Sequence, residues 1–130
     1  MILLDTDVCV AFLRGRDAPV RDRLLELPPA EVFLCSVVKA ELWVGARRSA
    51  RVAENLRTLE AFFEPIASLP FDDEAAARYG SIRAQLEREG RSIGGNDTLI
   101  AAIALAADAT LVTRNADEFR RVPGLRLEVW

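Results

Sequence analysis

The chain contains no histidine, and that absence excludes more chemistry than any other feature of its composition. Without imidazole there is no Ser-His-Asp triad, no Cys-His dyad, no histidine acid–base pair and no histidine zinc site. Cysteine is nearly as scarce. Cys9 and Cys35 are the only two, too few for a four-thiolate site, and both sit among apolar neighbours (Val8 and Val10; Leu34 and Val37), as reduced core thiols do. No apolar run approaches the roughly 20 residues that cross a bilayer. The opening Met1-Ile-Leu-Leu-Asp5 puts an acid where a signal peptide keeps a long apolar stretch. The expectation is a cytoplasmic protein without membrane contact. Lysine is rare too: of 17 basic residues only Lys39 is not arginine. Enzymatic chemistry here must rest on carboxylates, hydroxyls, backbone groups and arginine.

What is present makes one ordinary domain over residues 1–130. An apolar fraction of 51% with 28% charged residues supports a real core under a solvated surface and excludes disorder or a disulfide scaffold. The net charge of −3 looks unfavourable for a nucleic-acid binder, but a sum hides local patches. The arginines fall in groups. Arg14, Arg16, Arg47, Arg48 and Arg114 are the candidates for bidentate contacts to nucleic-acid phosphates.

Apolar runs separated by helical stretches organise the chain. Ile2-Leu3-Leu4, Val32–Cys35, Ile66–Leu69, Thr110–Thr113 and Leu125–Val129 read as short strands. Helices are expected over Val8–Leu13, Val20–Leu27, Ser36 (as cap) to Arg48, Val52–Phe63, Asp72 to Glu89, and from Asn96 or Asp97 to Ala107. Strands that are apolar throughout and alternate with helices imply a mostly parallel sheet of four to five strands, covered on both faces: a three-layer α/β/α sandwich.

In such sheets sites form at the carboxyl ends of strands, and the acids fall there. Asp5 ends the first strand. Asn115, Asp117 and Glu118 follow Thr110–Thr113. Asp97 lies in the first turn of a nearly apolar helix, and Glu41 lies on or beside an apolar stripe, where an unpaired carboxylate is costly. Lys39, two positions away, is on the wrong side of the helix to pair with it. Each acid also has a purely structural explanation. Asp5 or Asp7 fits a helix cap, Asp97 a first-turn dipole partner, and Asn115 with Glu118 a capping box. Taken together, converging carboxylates without histidine or cysteine suit a hard cation, Mg²⁺ with Mn²⁺ as substitute, and phosphodiester hydrolysis by metal-activated water.

Four segments in register carry a family resemblance: Met1-Ile-Leu-Leu-Asp5-Thr-Asp7, Ser36-Val-Val-Lys-Ala-Glu41-Leu-Trp-Val-Gly45, Ile93-Gly-Gly-Asn-Asp97-Thr-Leu-Ile-Ala-Ala102 and Leu111-Val-Thr-Arg-Asn115-Ala-Asp-Glu-Phe119. With the ending Leu125–Trp130, the chain resembles the PIN-domain ribonucleases, specifically VapC toxins of toxin–antitoxin pairs. The resemblance implies an Mg²⁺- or Mn²⁺-dependent endoribonuclease acting on tRNA or rRNA loops. It also implies a homodimer and a VapB-type antitoxin through which alone DNA is contacted. Asp5, Asp97 and Glu41 would be metal ligands, and the fourth position would fall among Asn115, Asp117 and Glu118, with Glu118 favoured over Asp117 by the family spacing. The family usually has Asn at the position of Asp7 and Asp at that of Val129. Two other readings compete: a catalytically silent PIN-like binding module, and a haloacid-dehalogenase-like phosphatase with Asp5 as nucleophile and Asp7 as acid–base.

Overall fold

The computed structural model describes every residue from Met1 to Trp130. Five strands form one sheet: β1 (Ile2–Leu4), β2 (Val32–Cys35), β3 (Ala67–Leu69), β4 (Thr110–Thr113) and β5 (Leu127–Val129). Their spatial order is β3-β2-β1-β4-β5, and every neighbouring pair is parallel. Ile2 stands beside Val32 on one side and Thr110 on the other. The helices are α1 (Thr6–Arg14), α2 (Ala18–Glu26), α3 (Ser36–Arg47), α4 (Val52–Phe63), α5 (Asp73–Arg88), α6 (Gly95–Ala106) and the short α7 (Ala116–Phe119). With right-handed crossovers, the connections up to β3 cover one face and those from β3 onward the other. The packing agrees: α1 lies against α2 and α3, α3 against α4, and α5 against α6. The expected α/β/α sandwich is the fold.

The core explains the apolar runs. Leu3, Leu4, Leu34, Leu111 and Val112 on the central strands are sealed from solvent, as are Ile100, Ala101, Ala102 and Ala104 on α6. Three alanines on that helix let α5 and the sheet approach closely, which is why α6 reads as apolar nearly all round. Cys9 and Cys35 are free thiols inside this core, and burial pushes both pKa values up, so they are unreactive packing groups. No helix is long and apolar enough to cross a membrane.

Several ends differ from the sequence reading. Asp5 caps α1, so the helix begins at Thr6 and not Val8. It ends at Gly15, whose φ of 65° is the left-handed conformation that glycine adopts without strain. Ser36 is the first residue of α3, not its cap; Cys35 occupies the cap and offers no side-chain bond. A cap needs extended backbone, and the last strand residue already supplies it. β5 starts at Leu127 and not Leu125, because Gly124 (φ 77°) turns the chain just before it and Leu125 N–H bonds back to Val122 O.

Candidate active site

β1 continues to β2 on one side of the sheet while β4 continues to β5 on the other. The carboxyl ends of β1 and β4 therefore flank the switch point, where open parallel sheets leave a crevice. Asp5 leaves β1 there. It is only 5% exposed, yet both of its oxygens are satisfied. Oδ1 accepts the Thr6 N–H at 2.8 Å, and Oδ2 accepts the Thr113 hydroxyl at 2.8 Å. Burial raises the Asp5 pKa, those two bonds pull it back down, and the charges of Asp7 and Glu41 raise it again. The cap explanation for Asp5 thus holds, but it uses one oxygen only.

Two threonines that sequence reasoning did not single out organise the acids. Thr6 Oγ1 donates to Glu41 Oε1 at 2.9 Å, fixing the half-buried carboxylate of α3 beside Asp5. Thr113, fully buried, donates to Asp5 and accepts the Asn115 N–H at 3.1 Å. The only signal was a hydroxyl next to Asp5 and another at the end of a strand, which is weak without the fold. Thr113→Val keeps the shape and removes the donor, so it should cost about 1–3 kcal/mol and weaken Mn²⁺ binding, with Thr113→Ser restoring both. Urea unfolding and calorimetry measure these two effects; unaltered binding in the valine variant would contradict the role given to Thr113.

Asp97, on the first turn of α6, is half-buried. Its pKa is pushed up to about 7, first by burial, then by a hydrogen bond shared with the Glu118 carboxyl, then by the charges of Asp5, Glu118 and Glu41. Glu118 therefore faces Asp97, and the expected capping box is absent. Thr113 has taken the Asn115 N–H that Glu118 would have accepted, and the Asn115 side chain makes no cap bond. Asp117 is exposed and accepts from Arg120 at 3.3 Å. The structure thus brings together Asp5, Glu41, Asp97 and Glu118, leaves Asn115 exposed beside them, and turns Asp117 outward.

The arginines divide. Arg14, Arg16 and Arg114 line a recess of about 470 Å³ with Asp7 and Asp17, and Arg114 is ion-paired to Asp17. The Val20 N–H and that pairing hold Asp17 below the usual carboxylate range. Arg47 and Arg48 are exposed at the far end of α3 and do not line that recess. Lys39 lies over the Phe63 ring at 5.0 Å, so a lysine-assisted phosphatase site at Asp5 lacks its cation.

The oxygen-only donor set fits a hard divalent cation, because burial and then like charges destabilise ionised Asp97, and a cation would offset both. No three acidic side chains lie close enough to grip one ion by themselves. This is compatible with Mg²⁺, which keeps several waters and takes one or two carboxylates.

The raised Asp97 pKa has a stability consequence. In the unfolded chain an aspartate loses its proton near 3.8, and in the folded one near 7. The native state holds the proton more tightly, so the stabilisation is complete below about 3.8 and is lost as pH rises towards 7. Screening of this half-open group limits the loss to on the order of 2 kcal/mol. Asp97→Asn should therefore gain stability relative to the native chain between about pH 4 and pH 7 and hold that gain above. Denaturant titrations across this range measure it, and a pH-independent difference would refute the assignment.

Comparison with known proteins agrees with the geometry. The PIN domain family model matches residues 2–125. The tRNA(fMet)-specific endonuclease VapC of Shigella flexneri is 39% identical over 128 residues, covering 98% of this chain and 96% of that protein. Among solved structures, VapBC from Salmonella typhimurium bound to DNA superposes with a TM-score of 0.93 at 34% identity, covering 99% of this chain and 97% of that one. VapBC2 of Rickettsia felis bound to a promoter DNA fragment gives 0.90 at 37% identity, covering 100% and 99%. A sheet of the right order, acids at its switch point and full-length similarity converge: this chain belongs to the PIN-domain family, in its VapC group.

Proposed function

We propose that this chain is the toxin of a toxin–antitoxin pair, a divalent-metal-dependent endoribonuclease cutting a structured RNA. The observation that carries the reading is the convergence of Asp5, Glu41, Asp97 and Glu118 at the carboxyl ends of β1 and β4. When bound, Mg²⁺ or Mn²⁺ supplies a Lewis acid that lowers the pKa of water and offsets charge on the phosphate. The protein's own part is to hold the donors. Asp5 and Asp97 are the proposed principal ligands, Glu41 a ligand directly or through a water, and Glu118 the fourth acid, reached through water. Thr6 and Thr113 fix the directions of Glu41 and Asp5, and the Arg14, Arg16 and Arg114 recess receives neighbouring phosphates. Asp97 with a pKa near 7 sheds its proton as the cation enters, so Mn²⁺ affinity should fall below pH 7.

The similarity to a tRNA(fMet)-specific endonuclease supports initiator tRNA as the first substrate to try. Relatives solved as VapBC complexes on DNA support a VapB-type antitoxin as the inhibitor and as the only DNA contact. A homodimer follows from the same resemblance, and light scattering tests it. The deciding experiment incubates purified, antitoxin-free protein with a tRNA pool and Mg²⁺ and maps the new 5′ ends. A discrete internal cut, abolished by EDTA, supports the reading. An intact pool, or equal cutting in EDTA, overturns it.

A further inference from the structure

A second recess, of about 350 Å³, opens between α1, α3 and α4 directly beside the carboxylates; Thr6 and Glu41 form part of its wall. That volume is in the range of about 300–1,000 Å³ typical of small-molecule sites. Its floor is apolar, from Val10, Leu13, Leu42 and Leu59, and its far wall is polar, from Ser49 and Asn55. We infer that this recess is a nucleobase subsite that seats the base flanking the scissile phosphate. The inference rests on the ribonuclease reading above and names how that site chooses its substrate.

The hydrogen bonds orient Asn55. Ser49 Oγ donates its single proton to Ala46 O at 2.6 Å, so it can only accept from Asn55, at 2.8 Å, and the atom facing it must be Nδ2. Asn55 keeps one N–H and all of Oδ1, which accepts from no protein group and is not sealed from solvent. One donor beside one acceptor on a planar amide pairs with the donor–acceptor edge of an unstacked base, adenine N6 and N7 among such edges. The apolar floor would receive the flat faces of an unstacked base, as sequence-selective RNA binding requires.

Two features join the recess to the rest of the site. Gly45 lies one helical turn, about 5.4 Å, beyond Glu41 on the same side of α3. It lines the recess, and a Cβ built on it would meet no atom within 4 Å. Arg14 lines both this recess and the arginine recess. A chain with its base here would therefore carry its backbone past Arg14, with the sugar-phosphate close to Glu41.

The test uses the full chain and two substitutions. Gly45→Leu places a strong helix former in open space and fills the recess; Asn55→Ala removes the amide and leaves the floor. Both should raise KM for tRNA cleavage at least tenfold and leave the Mn²⁺ binding isotherm unchanged. Independently of turnover, adenosine 5′-monophosphate should shift the Asn55 side-chain amide resonances of the native chain, where ribose 5-phosphate does not, and should shift nothing in Gly45→Leu. Because this arm requires no cleavage, it separates failure of the subsite from failure of the ribonuclease reading. Equal shifts with the nucleotide and with ribose 5-phosphate, no shift with the nucleotide, or unchanged KM in both variants would overturn the subsite. So would a Gly45→Leu variant that loses only a VapB-type antitoxin, which would make the recess a protein seat.

Discussion

Asp97→Asn should lower RNA cleavage by about 10²-fold or more, the usual loss when one preorganised electrostatic group is removed from such a site, and the variant should unfold at higher denaturant than the native chain at pH 8. The two effects have one cause. Partial burial first, then the Glu118 carboxyl and the charges of Asp5 and Glu41, lift the Asp97 pKa to about 7, so at pH 8 an ionised Asp97 is held against both burial and repulsion. An amide removes that cost while leaving α6 intact, since the first turn of α6 takes its side-chain bond from Thr98 to Gly94 O and not from Asp97. Asp5→Asn should lose as much activity without the gain in stability. Its carboxylate accepts two hydrogen bonds at 2.8 Å, and an amide cannot accept at both ends. Single-turnover kinetics with equilibrium unfolding of both variants separate these outcomes. A destabilised Asp97→Asn that retained activity would refute the repulsive cluster.

Glu118→Gln should weaken Mn²⁺ binding about tenfold, whereas Asp117→Asn should leave it unchanged within about twofold. The side chains are adjacent in sequence but differ in what they face. The Glu118 carboxyl raises the Asp97 pKa, by contact and by charge; Asp117 is exposed beside Arg120. The Glu118→Gln amide would keep a contact to Asp97 and lose the charge, so the loss reports charge and not packing. Calorimetry on both variants decides the matter, and the reverse order would move the fourth position to Asp117.

Much of this site is visible in the sequence because strand ends and helix starts are local signals. Asp5 after an apolar run, Asp97 at the head of an apolar helix and Glu41 on a buried stripe each follow from periodicity and burial cost. The pairing of Glu118 with Asp97 does not. The local pattern Asn115-x-x-Glu118 favours a capping box, and only the placement of Thr113 at the end of β4 gives the Asn115 N–H another acceptor. Local preference lost to a tertiary contact. The arginines show the same limit: all five candidates are exposed, but only Arg14, Arg16 and Arg114 converge, because Asp17 at the start of α2 reaches across to Arg114. Element ends shifted where a strand residue already had the extended backbone of a cap, as at Cys35.

Divalent-cation binding by the acids at the carboxyl ends of β1 and β4 is the proposal on which the rest depends. Calorimetric titration of Mn²⁺ into antitoxin-free protein at pH 8, native and Asp97→Asn side by side without RNA, tests it most directly. The native chain should give a saturable isotherm that is lost or at least tenfold weaker in the variant. Identical isotherms for the two proteins would contradict it.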